Sequence, residues 1–129
     1  MKQLNENMCV VFLTTYPPRE CGIATFTADL LKNFDQMFVP SEETKVIALN
    51  TDVLQTYNYP KKVIFEISEN KPDDYLTAAQ KLNALSQVKL VSVQHEFGIF
   101  GSDYGKNILI FLKEIKKPVV ITFHTVIPT

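Results

Sequence analysis

Both histidines of the chain directly follow apolar runs, in "LVSVQH" (Leu90 to His95) and "VVITFH" (Val119 to His124). A histidine at such a junction can position a hydroxyl or act as a base near neutral pH; equally, it can tie two loops together. Thr125 follows His124, and Glu96 follows His95 as a candidate partner for His95 or for Arg19. A third polar junction, "TTYPPRECG" (Thr14 to Gly22), leads from "CVVFLT" into an amphipathic run. Gly22 has no side chain, so an anion can approach free backbone N–H groups at a helix start there, while a lone glycine serving turn geometry is the plainer reading. Pro17 and Pro18 stiffen this loop, and Arg19 can offer a fork to a phosphate or a sugar hydroxyl. Cys21, beside the helix start, is either a nucleophile or a small residue packed in a tight turn. Gly98, Gly101 and Gly105 supply turns to "FGIFGSDYG", with substrate contact as the sharper alternative. His95, Glu96 and His124 are suitable ligand types, but their spacing follows no metal motif, so no metal is expected. "CGIATF" has one glycine where the dinucleotide fingerprint has three, so Asp52 reads as a turn residue and not as a ribose ligand.

The elements that carry these residues follow from periodicity. "CVVFLT" (9–14), "KVIALN" (45–50), "KVIFEI" (62–67), "KLVSVQ" (89–94) and "VVITF" (119–123) read as strands. Ile23, Phe26, Leu30, Leu31, Phe34 and Met37 mark a helix from about Ile23 to Phe38, ended by Pro40. Pro72 opens a second helix with Asp73 and Asp74 at its positive end and Leu76, Ala79, Leu82 and Leu85 as its buried stripe. Ser102 or Asp103 caps a third, with Tyr104, Ile108, Phe111, Leu112 and Ile115 facing inward and Lys113, Lys116 and Lys117 as a solvated basic end. The link between the second and third strands shows no helical period, which leaves the third strand's direction open.

This alternation predicts a Rossmann-like doubly wound α/β fold: five mainly parallel strands in the order 3-2-1-4-5 and three helices in a single domain spanning 1–129. Right-handed crossovers place helix one on one face and helices two and three on the other. The face of helix one is then bare over strands four and five, which predicts an exposed apolar patch, a dimer contact or further chain.

At 129 residues, 46% hydrophobic, 21% charged and with a formal charge of −1, the chain has the composition of a soluble globular domain and no basic footprint for nucleic acid or an anionic membrane. Its apolar stretches fall short of the roughly 20 residues of a transmembrane helix. The N-terminus does not read as a signal peptide, and the expected location is cytoplasmic. Two cysteines are too few for a disulfide framework.

"TYPPRECGIATFTADL", "VSVQHEFGIFGSDYG" and "VVITFHTVIPT", in this order at the ends of strands one, four and five, resemble the N-terminal domain of GT-B-fold glycosyltransferases of family 4 (group 1), especially bacterial members presumed to handle mannose-type sugars. The resemblance implies two Rossmann-like domains facing a cleft, with the acceptor on the N-terminal one and the nucleotide-sugar donor on a C-terminal one that usually carries a pair of glutamates. It implies transfer with retained anomeric configuration, no metal and no cofactor beyond the nucleotide-sugar itself. Gly22 would lie near the donor phosphates, His124 would match the acceptor-side catalytic histidine, and His95 would line the same cleft; Arg19, Glu96, Gly98 and Thr125 complete the expected substrate-binding set. Many members have two adjacent glycines where this chain has Cys21 and Gly22. On this reading residues 1–129 are the first part of the acceptor-side domain and are inactive alone. The alternatives are a freestanding α/β interaction module, dimeric through its bare sheet face, and a small hydrolase using Cys21 with His95 or His124.

Overall fold

The computed structural model describes residues 8–37, 42–51 and 57–128. These form β1 (Met8–Thr14), α1 (Gly22–Met37), β2 (Glu42–Asn50), β3 (Val63–Ser68), α2 (Pro72–Asn83), β4 (Val88–His95), α3 (Ile108–Glu114) and β5 (Val119–Phe123), with a 3-10 turn at Asp103–Gly105. The sheet order is β3-β2-β1-β4-β5 and every pairing is parallel, including β2 with β3. The expected ends of helix one at Phe38 and Pro40, and the turn residue Asp52, lie outside the described residues.

Alternation along the strands builds two cores, because successive side chains of a strand point to opposite faces. Cys9, Val11 and Leu13 of β1 and Ile47 and Leu49 of β2 pack with Tyr75, Ala79 and Leu82 of α2 and Phe111 of α3. Phe12, Val46 and Ala48 point the other way and pack with Leu31 of α1. Burial, reinforced by Glu43, pushes the Cys9 thiol up to about 11.

The helical stripes agree with the sequence expectation at Leu31, Ala79 and Leu82, which are buried, and at Ile23, Leu30, Phe34 and Leu85, which pack against the cores, and differ from it at a few positions. In α1 the buried line is Ala24, Thr27 and Leu31, whereas Phe26 and Met37 are exposed. In α2 it is Tyr75, Ala78, Ala79 and Leu82, and Leu76 faces outward. Small residues at Ala24, Thr27, Ala78 and Ala79 let the helices lie close to the sheet beside the fully buried Leu31, Tyr75 and Leu82. The third helix begins only at Ile108: the 3-10 turn before it holds Asp103 and Tyr104 at φ 58°, and Tyr104 is 99% exposed instead of inward.

α1 covers β1 and β2 but not the outer strands. Val10, Phe12, Leu30, Phe34, Leu90 and Val120 therefore flank an open groove of about 370 Å³, the apolar patch expected from the crossover argument. No helix among the described residues is long and apolar enough to cross a membrane.

Candidate functional site

The strand order reverses between β1 and β4, the place where a doubly wound sheet sets its ligand crevice at the carboxyl ends of the strands. The loop after β1 carries a cis peptide between Pro17 and Pro18 and ends at Cys21. Cys21 Sγ lies 2.9 Å from Thr15 Oγ1 and accepts the N–H of Ala24 at 3.4 Å, so the sulfur stands where a serine or threonine oxygen usually caps a helix. Thr14 Oγ1 lies 2.9 Å from Thr27 Oγ1, which anchors α1 to the end of β1. A Cβ on Gly22 would meet nothing within 4 Å, and Gly22 is not in the left-handed region. Neither packing nor backbone conformation requires glycine here; its effect is to leave the space at Gly22 open, beside an Ala24 N–H already capped by Cys21.

Arg19 turns inward. Its Nη1 donates to the Leu49 carbonyl at 2.7 Å and to Glu69 Oε2 at 3.2 Å, with the two side chains 10% and 9% exposed. Burial pushes the Glu69 carboxyl up, and the Arg19 guanidinium opposes that shift. Arg19 thus ties the loop that follows β1 to the end of β2 and to the loop that follows β3. The Glu69 carbonyl also accepts from Tyr75 Oη at 2.9 Å and from Asn107 Nδ2 at 3.2 Å. Asn70 Oδ1 accepts from the Ser102 N–H at 2.8 Å, and a Cβ on Gly101 would collide with the Glu69 carbonyl. Gly101 is therefore a close-approach glycine at φ +84°, while Gly98, at φ +91° in open space, answers to backbone conformation alone.

The two histidines lie on opposite sides of the sheet. His95 pairs in register with Phe123, so His124 is one residue out of phase with it. The His95 ring stacks on Phe100 with centroids 5.5 Å apart and lies 5.2 Å from Phe123; its Nδ1 is buried without a hydrogen-bond partner among the described residues. The His124 ring instead meets Phe26 of α1 edge-on, with centroids 4.8 Å apart, and its Nε2 lies 2.8 Å from Gln94 Oε1. The backbone joins them, since His124 N–H donates to the His95 carbonyl at 2.9 Å.

Glu96 pairs with neither His95 nor Arg19. It accepts from the Phe97 N–H at 2.8 Å and from Thr125 Oγ1 at 2.9 Å, and these two bonds hold its carboxyl below the usual glutamate range. Gly22 and Phe26, four residues apart, share one face of α1, so the open helix start and His124 lie on the same side of the sheet. Glu96 and Thr125 bridge the loops after β4 and β5. Arg19 lies inside the loops, and His95 lies across the sheet.

Two residues essential to this arrangement escaped the sequence reading. Gln94, 1% exposed, donates from its amide nitrogen to Ser92 Oγ at 3.1 Å while its oxygen faces His124. Its signal was present: an amide in an otherwise apolar strand must find internal partners. Glu69, just past β3, carried no comparable signal, because its partner lies 50 residues away.

Among the described residues no group of three or more His, Cys, Asp or Glu side chains is placed to hold a metal ion. Comparison of the chain with protein-family models, curated proteins and solved structures finds no match.

Proposed function

We propose that these residues form the acceptor side of the cleft of a retaining glycosyltransferase, which moves a sugar from a nucleotide-sugar to a carbohydrate acceptor. The observation that carries this reading is that His124, braced by Gln94 and Phe26, stands on the same side of the sheet as the start of α1, where the space at Gly22 is open. The N–H groups of the helix start that Cys21 Sγ does not take, with the positive end of the helix, suit a donor phosphate, while a neutral imidazole suits an acceptor hydroxyl. In the transfer, the bond from anomeric carbon to phosphate oxygen breaks with its electron pair leaving on the nucleoside diphosphate. The acceptor oxygen then bonds to the same face of that carbon and passes its proton to the departing phosphate oxygen. Recognition of the nucleotide belongs, in this reading, to a second Rossmann-like domain. A cytoplasmic location is part of the same proposal and is supported by the free thiols of Cys9 and Cys21.

Amide NMR mapping with mannosides and short oligosaccharides tests it. We expect shifts centred on Gly22, Glu96, His124 and Thr125 and no turnover of nucleotide-sugar by these residues alone. A saccharide panel that leaves those amides unmoved would overturn the proposal. The open groove between α1 and β4–β5 favours a second reading, an interaction module working through that face; sedimentation showing a stable dimer abolished by Val120→Asp would support it, and a monomer would count against it.

A further inference from the structure

We propose that Gln94 is a positioning residue that fixes neutral His124 as its Nε2–H tautomer, so that Nδ1 is presented as a hydrogen-bond acceptor to a hydroxyl of the bound molecule. The Gln94 amide nitrogen donates to Ser92 Oγ at 3.1 Å, and the amide oxygen lies on the side of the ring, 2.8 Å from Nε2. Gln94 is 1% exposed, at the wall of the open groove beside Ser92, and an amide oxygen buried there without a partner would carry a desolvation penalty. A ring nitrogen facing a carbonyl oxygen must carry the proton, which leaves the other nitrogen with its lone pair free. Phe26, edge-on at 82° to the ring, limits the ring's rotation.

Nδ1 has no hydrogen-bond partner among the described residues. A nitrogen in that state accepts from a hydroxyl and repels a phosphate oxygen, so His124 serves the alcohol side of a reaction and not the anion side. That this alcohol belongs to a sugar acceptor rests on the glycosyltransferase reading; the tautomer itself does not.

The experiment therefore reads the ring directly, by long-range proton–nitrogen correlation NMR of the chain at a pH where His124 is neutral. We expect a protonated Nε2 and a bare Nδ1 in the native protein. Gln94→Met, which removes the accepting oxygen at similar volume, should let the two tautomers mix. His95, across the sheet, serves as the internal control. A native His124 carrying its proton on Nδ1, or an unchanged tautomer in Gln94→Met, overturns the proposal, and the native spectrum alone decides the first point even if a variant fails to fold. A correct tautomer without saccharide binding counts instead against the glycosyltransferase reading.

Discussion

On the face carrying α2 and α3, Leu13, Ile47, Leu49, Val91 and Val93 are sealed beneath Tyr75, Ala79, Leu82 and Phe111. Across the sheet, α1 seals Phe12, Val46 and Ala48 but leaves Leu90 and Val120 beside an open groove. The same alternating strands feed both faces, so composition does not explain the difference. The cause is connection geometry: right-handed crossovers to the β4 and β5 side put their helices on the first face, and among the described residues α1, on the β1 to β2 crossover, is the one helix on the second, with Tyr59 packed beside it. The candidate residues divide in the same way. His124 and the start of α1 lie with the half-covered face, and His95, half-buried as His124 is, lies among the rings of Phe97, Phe100 and Phe123 on the other.

The contrast can be broken by truncation on each side. Phe111→Ala should lose about 3–5 kcal/mol in urea unfolding, the cost of a cavity in a packed core. Val120→Ala, at a residue 51% exposed, should stay within about 0.5 kcal/mol. A comparable loss at Val120 would show that the groove is covered in solution and would erase the distinction between faces.

Next in size is the tie beneath the crevice. Arg19→Met should cost about 3 kcal/mol, because it leaves the Glu69 carboxylate buried without its partner. The pH dependence gives the sign. The Glu69 carboxyl is already raised by burial and loses the opposing guanidinium, so the variant's stability should be greatest when the acid is protonated and fall as pH rises through its raised folded pKa. Arg19→Met/Glu69→Gln should flatten that profile; a single variant with a flat profile would mean that the pair contributes little to joining the loops.

The smallest effect concerns the bridge between the loops of β4 and β5. Thr125→Val should move the Glu96 titration upward toward an ordinary glutamate, followed by carboxyl NMR, while the Phe97 N–H keeps part of the depression. An unmoved titration would mean that Thr125 does not hold Glu96 in solution.

Much of this molecule was legible before folding was considered. Unbroken apolar runs such as "CVVFLT" and "VVITF" mark strands buried between layers, and their alternation with helical periods predicts the sheet order observed. The half-bare face followed from handedness alone. Helix phase was legible at Leu31, Ala79 and Leu82 and less so elsewhere: Phe26, Leu76 and Tyr104 are apolar or aromatic at plausible spacings, yet each faces outward, with Ala24, Thr27 and Ala78 in the close contact and a left-handed turn lifting Tyr104 from the surface. Arg19 and Glu96 showed their chemical capacity in the sequence but not their partners, Glu69 and Thr125, which lie 50 and 29 residues away.

By itself the sequence determined which residues end the strands and therefore which side chains could gather at the crevice, because hydrophobic periodicity is local. Tertiary structure decided which of them meet. The parallel register of β4 with β5 sets His95 opposite Phe123 and so puts His124 on the other face, and the same register brings His124 onto Gln94, 30 residues distant, so that a buried amide orients the ring.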